Sequence, residues 1–221
     1  WNPETDPLVP HPFNADNFRE ERLQNKRALQ QESGLAVRDD VLLVGLVSRL
    51  VEQKGLDLAF PALRRFLAEN DVQFVGLGSG EPQFNDMLTS IGNDFPQKAR
   101  ANVGFNATTA QHIYAGCDLF LMPSHYEPCG VGQMLAMRYG ALPLVRETGG
   151  LSDTVENYDD ANADRGKGFV FLWETPDAVV GTLQWALTTY QNRPEAWGRM
   201  QERALRTDFS WDISAREYIA L

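Results

Sequence analysis

Short runs of β-branched and aliphatic residues recur along this chain, each separated from the next by a stretch of helical length and spacing. Val41–Val47 is continuous, the pattern of a strand buried on both faces. Val72–Leu77, Ala101–Phe105, Leu119–Met122, Leu142–Val145 and Gly168–Leu172 read as further strands. Helices are predicted between them over Leu56–Ala68, Pro82–Ile91, Thr109–Ala115 and Gly132–Tyr139. Pro61 falls in the first turn or two of its helix, where proline is tolerated. Strands alternating with helices call for parallel βαβ units with right-handed crossovers. The expected fold is α/β, an open doubly wound parallel sheet.

The two ends depart from this alternation. Residues 1–13 carry four prolines and read as an extended lead-in. Asn14–Glu32 places Phe18, Leu23, Ala28 and Leu29 among charges, which predicts an exposed amphipathic helix stopped by Gly34. Pro176–Tyr190, Pro194–Thr207 and Trp211–Leu221 read as helices only. The chain therefore divides into a lead-in and helix (1–34), a sheet domain (35–175) and C-terminal helices packed on it (176–221). It begins Trp1-Asn2-Pro3-Glu4, without an initiator Met, and Ala220-Leu221 falls inside a predicted helix. Both ends are expected to be cut from a longer protein.

With 221 residues, 43% of them hydrophobic, the chain can bury a core without disulfides or a structural metal. Thirty acidic against 20 basic residues give a formal charge of −10, which disfavours a nucleic-acid partner. Cys117 and Cys129 form neither a disulfide framework nor a four-ligand zinc site, and a reduced compartment is expected. His11, His112 and His125 show no triad or metal spacing, so no protein-bound metal is expected. No run approaches membrane-spanning length, and no membrane partner is expected.

In a doubly wound sheet, ligands bind beyond the carboxyl ends of the strands. The segments expected to leave those ends are Ser48–Gly55, Gly76–Glu81, Phe105–Thr109, Pro123–Gly132 and Arg146–Gly150. In the first, Arg49 and Lys54 pair a bidentate fork with a compact point charge beside a helix start, a combination suited to a diphosphate or simply to a solvated loop. Gly76-Leu77-Gly78-Ser79-Gly80-Glu81 lacks the P-loop ending and the G-x-G-x-x-G pattern, and is expected to be a structural turn. In Pro123-Ser124-His125-Tyr126-Glu127-Pro128-Cys129-Gly130-Val131-Gly132-Gln133, a carboxylate precedes a glycine-flanked helix start. Glu127 either faces a ligand bearing hydroxyls and phosphate or stabilises the helix dipole. Cys129 reads as a small packing residue, because no base lies near it in sequence. Thr148-Gly149-Gly150 again sets glycines before a helix. Phe105 either stacks on a nucleobase or joins the core.

Together, Ser48-Arg49-Leu50, Gln53-Lys54-Gly55-Leu56-Asp57, Glu127-Pro128-Cys129-Gly130, Tyr139-Gly140, Pro143-Leu144-Val145-Arg146, Thr148-Gly149-Gly150-Leu151-Ser152-Asp153-Thr154-Val155 and Phe209-Ser210-Trp211 resemble the bacterial glycogen synthase and plant starch synthase family. The resemblance runs over essentially the whole chain. It implies the Rossmann-like, donor-binding C-terminal lobe of a two-lobed GT-B-type glycosyltransferase, with the N-terminal acceptor lobe outside this chain. It further implies glucose transfer from ADP-glucose to the non-reducing end of an α-1,4-glucan with retention, with ADP as product and no cofactor required.

By motif match, Arg49 and Lys54 hold the diphosphate, and Glu127 contacts the transferred glucose. Backbone amides of Gly130, Val131 and Gly132 receive the distal phosphate, Phe105 stacks on adenine, and Cys129, Thr148 and Gly149 line the donor site. Val131-Gly132 departs from the family's usual Leu-Thr or Leu-Ile, which removes a hydroxyl contact. Leu135 stands where related transferases carry a second acid, so ribose recognition by a carboxylate there is not expected. A sucrose- or sugar-phosphate-forming transferase is disfavoured by Glu127-Pro128-Cys129-Gly130 together with Leu135. A UDP-glucose-using relative and a catalytically silent nucleotide- or glycan-binding module remain the alternatives. A bacterial cytoplasm is the expected setting, with a plastid stroma the alternative.

Overall fold

Near-continuous hydrophobic runs within the central strands dictate two apolar layers, one on each face of a sheet. In the computed structural model, which describes residues 1–161 and 163–219, the six strands are β1 (Leu42–Leu50), β2 (Val72–Gly80), β3 (Ala99–Val103), β4 (Leu119–Met122), β5 (Leu142–Arg146) and β6 (Phe169–Phe171). All neighbours pair in parallel, in the order β3-β2-β1-β4-β5-β6. Leu42 is paired with Val72, Val44 with Leu119, and Leu144 with Phe169. The order reverses between β1 and β4, which is the topological switch point of the sheet.

The helices are α1 (Phe18–Glu32), α2 (Leu56–Glu69), α3 (Pro82–Asp94), α4 (Ala107–Gly116), α5 (Gly132–Arg138), α6 (Gly149–Thr154), α7 (Pro176–Asn192), α8 (Pro194–Arg206) and α9 (Trp211–Ile219). The predicted extension of the last helix to Leu221 lies outside the described residues. Leu42, Val44, Leu46, Phe74, Leu119, Leu121 and Phe169 point to one layer, with Phe60, Phe66, Leu183 and Met200 of α2, α7 and α8. Leu43, Val75, Leu77 and Phe120 point to the other, with Phe18, Ile113 and Ala136 of α1, α4 and α5. Each fully buried Leu or Phe contributes roughly 1.5–3 kcal/mol relative to exposure. Among the described residues, no helix is long and apolar enough to cross a membrane.

Three expectations are corrected. The glycine-rich segment after Val75 is not a turn: β2 continues through it to Gly80, with Gly78 paired to Ser48 and Ser79 to Arg49. For the same reason Ser48, Arg49 and Leu50 belong to β1 and not to the loop that leaves it. The glycines suit a strand here because side chains at Gly78 and Gly80 would run into the β1 backbone. The helix of the lead-in region is not simply exposed. It buries Phe18 and Leu29 together with Arg22, Asn25, Lys26 and Gln30.

Those buried polar groups are bonded. The Lys26 ammonium lies 2.7 Å from Asp118 and donates to Tyr190 Oη at 2.9 Å and to the Val41 carbonyl at 2.5 Å. Arg22 donates to the Tyr139 and Cys117 carbonyls at 2.7 and 2.5 Å. These bonds fasten α1 to the amino-terminal edge of the sheet, opposite the end where the loops gather.

Candidate functional site

At the carboxyl edge, β1 runs into a single 3₁₀ turn, Glu52–Lys54, closed by Gly55 in the left-handed region at φ 67°. Only glycine fits there, because a Cβ would overlap the Pro123 carbonyl oxygen as well as strain the backbone. This contact presses the turn after β1 against the segment after β4. His125 N–H donates to the Gln53 carbonyl at 3.0 Å, and Gln53 Nε2 donates to the Tyr126 carbonyl at 2.8 Å.

The consequence is an ion pair across the switch point. Lys54 Nζ bonds Glu127 Oε2, and Ser124 Oγ donates to the same oxygen at 3.2 Å. Glu127 is 7% exposed, so its charge is held by partners and not by bulk water. The helix-dipole reading of Glu127 therefore gives way: its carboxylate is engaged by Lys54 and Ser124, with α5 beginning only at Gly132. Arg49, near the end of β1, is exposed, and among the described residues its guanidinium has no hydrogen-bond or ion-pair partner. In a chain of net charge −10, this is a local cationic exception beside a buried carboxylate.

The segments after β4 and β5 interlock. The Gly150 N–H donates to the Glu127 carbonyl at 3.0 Å. Gly149 has φ 46°, and a Cβ on it would overlap that same carbonyl oxygen. Thr148 precedes it in extended backbone, at the position just before α6 and without a side-chain capping bond. Gln133 Nε2 donates to the Cys129 and Gly130 carbonyls at 3.0 and 3.1 Å. Gly130 turns the chain at φ 73° into Val131 and Gly132, which head α5. Lys54, Glu127, Cys129, Gly130, Val131, Gly132, Thr148 and Gly149 thus line one region.

Cys129 is exposed, which corrects its reading as a packing residue; the buried thiol is Cys117. Phe105 is neither core nor part of β3: it lies beyond Val103 and is 91% exposed. It stands off the strand at the edge of the sheet, two places from β1.

Four further residues meet here to which sequence reasoning gave no role. Arg146 donates from Nε to the Ser124 carbonyl at 3.0 Å and from Nη2 to the His125 carbonyl. Its Nη1 lies 3.0 Å from Glu174. The His125 ring bridges Asp57 at 2.8 Å and Glu174 at 3.4 Å.

An open parallel sheet with glycine-turned loops, a cation and a carboxylate meeting at its switch point is the place where doubly wound α/β domains hold their ligands. Residues 27–203 match the family described as glycosyl transferases group 1, and the chain belongs to that family. It is 49% identical over 218 residues to a glycogen synthase of Streptococcus sanguinis, covering 99% of this chain and 45% of the relative. It is 49% identical over 221 residues to a glycogen synthase of Kosmotoga olearia, covering 100% of this chain and 46% of the relative. The catalytic domain of starch synthase IV from Arabidopsis thaliana, solved bound to ADP and acarbose, superposes with a TM-score of 0.91 at 37% identity. That match covers 100% of this chain and 45% of the solved one. The chain spans about half the length of the curated relatives it matches, and its fold is that of one lobe of a GT-B-type glycosyltransferase.

Proposed function

We propose that this chain is the donor-binding lobe of an ADP-glucose-dependent glucan synthase, acting in a bacterial cytoplasm. The observation that carries the reading is the Lys54–Glu127 pair across the switch point, with the unpaired Arg49 beside it. Support also comes from the relatives named glycogen synthase and from the starch synthase solved with ADP. The bacterial sources of the curated relatives and the two unpaired thiols support the proposed setting.

In this reading, Arg49 and Lys54 hold the donor diphosphate and the amides of Gly130, Val131 and Gly132 take its distal phosphate. Phe105 offers its exposed face to the base, and Cys129, Thr148 and Gly149 shape the wall of the site. During transfer the bond from glucose C1 to the diphosphate oxygen breaks, and its electron pair leaves with ADP. A hydroxyl at the non-reducing end of an α-1,4-glucan forms the new bond to C1 with retention, and its proton passes to the diphosphate oxygen that C1 has left. Preorganised positive charge where the diphosphate becomes more negative lowers the barrier. Glu127 holds hydroxyls of the glucosyl group, and its bond to Lys54 keeps both side chains in place before the donor arrives. The acceptor and its binding lobe lie on the remainder of the longer enzyme.

Calorimetric titration of this chain with ADP, ADP-glucose and UDP-glucose tests the proposal. ADP and ADP-glucose should bind, and Lys54→Ala should weaken ADP by about tenfold or more, the scale of one lost charge-assisted hydrogen bond. No binding of ADP to the wild-type chain, or unchanged affinity in Lys54→Ala, overturns it.

A further inference from the structure

The segment from Pro123 to Val131 carries Glu127 but has no helix or strand of its own. Its carbonyl groups are instead satisfied one after another by groups from elsewhere. Gln53 takes the carbonyl of Tyr126, the Gly150 N–H that of Glu127, and Gln133 those of Cys129 and Gly130. The two carbonyls nearest the end of β4, Ser124 and His125, are both taken by one side chain, Arg146. Arg146 sits at the last position of β5, and its side chain is only 12% exposed.

All three guanidinium nitrogens are engaged within the protein: Nε and Nη2 on the two carbonyls, Nη1 on Glu174. Glu174 lies between β6 and α7, and its other oxygen reaches the His125 ring. The far nitrogen of that ring bonds Asp57 in the first turn of α2. Segments leaving β1, β4, β5 and β6 are thereby fastened at one point, three residues or fewer from Glu127. The guanidinium's fixed planar set of donors matches these two successive carbonyls and the carboxylate, an arrangement that a Lys ammonium, a compact point charge, fits less well.

We propose that Arg146 and Glu174 are positioning residues, a brace that fixes the loop carrying Glu127 and so sets turnover without contacting the nucleotide. The inference rests on the function proposed above, since it concerns the same site. The Arg49 and Lys54 side of the site lies on β1 and its 3₁₀ turn, outside the braced segment. Loosening the brace therefore moves Glu127, which meets the transferred sugar, while Arg49 and Lys54 keep their places on β1 and its turn and Gln133 still holds the Cys129 and Gly130 carbonyls beside the phosphate-binding amides. Misplacement by an ångström is enough to cost about 100-fold in rate.

The test uses the full-length transferase that carries this segment, with steady-state kinetics, ADP titration and thermal melting. Arg146→Ala should lower kcat by about 100-fold while the Kd for ADP stays within about threefold of wild type, a split that marks a loss confined to the transition state. Millimolar ethylguanidinium should restore kcat in Arg146→Ala by about tenfold or more without raising Tm, because it refills the vacated fork without re-forming the chain. Arg146→Lys should not substitute for it. Glu174→Gln, at a half-exposed carboxylate, should lower kcat in the same direction and decides the matter if Arg146→Ala does not fold. Unchanged kcat in a folded Arg146→Ala or, failing that, in Glu174→Gln overturns the brace. So does an equal loss of kcat and ADP affinity, or a loss that ethylguanidinium does not reverse. Failure of the proposed function looks different: the wild-type protein itself would not bind ADP.

Discussion

At the scale of single residues, the two thiols have opposite surroundings. Cys117 is fully buried behind Arg22 and Ile113, and burial pushes its thiol up to about 12. Cys129 is exposed beside Glu127. Alkylation with iodoacetamide at neutral pH should therefore modify one thiol per native chain, at Cys129, and reach Cys117 only after unfolding. Peptide mapping by mass spectrometry checks this, and native labelling of Cys117 would contradict the burial described. With the donor site occupied, ADP should slow labelling of Cys129. The residue scale also shows what sequence conveys. Arg49, Lys54 and Glu127 stand out because charge next to strand ends and glycines is unusual locally. Arg146 and His125 stood in the same motifs unassigned, because the groups they bind are carbonyls and distant carboxylates. A backbone carbonyl looks the same at every position of a sequence.

At the scale of elements, apolar runs located the central strands, since a strand covered on both faces must be nearly continuous in hydrophobic residues, whereas the edge strand β3, Ala-Arg-Ala-Asn-Val, was placed two residues late. The glycine-rich end of β2 escaped that reading, because low strand propensity was outweighed by pairing with β1 over nine residues. The first helix escaped it for a different reason. Charged residues were assigned to solvent, whereas Lys26 and Arg22 are buried and bonded to Asp118 and to carbonyls at the sheet's amino edge. That arrangement makes α1 dependent on Lys26. Lys26→Ala leaves Asp118 buried without its ion-pair partner and should destabilise the fold by about 3–5 kcal/mol, the cost of breaking such a pair from one side. Urea unfolding measures the change. A loss below about 1 kcal/mol, the range of an exposed pair, would mean that α1 is held mainly by Phe18 and Leu29.

At the scale of the whole molecule, the lobe has a core on each face of its sheet and sets Arg49, Lys54, Glu127, Arg146 and Glu174 along the carboxyl edge. In the proposed function that edge is one wall of a reaction site. The proposed chemistry needs the acceptor hydroxyl aligned with glucose C1 and water kept out, and these demands belong to a second wall. The chain corresponds to about half of its curated relatives, whose remaining length is available to supply that wall. Binding and transfer should therefore separate. The 221-residue chain by itself should bind ADP through Arg49 and Lys54 yet incorporate no measurable glucose from labelled ADP-glucose into glycogen. Losing proximity and orientation of the second reactant removes on the order of 10⁵-fold or more in rate, enough to take turnover below detection. Robust incorporation by this chain would place the acceptor site within these residues and assign to one lobe the work proposed here for two.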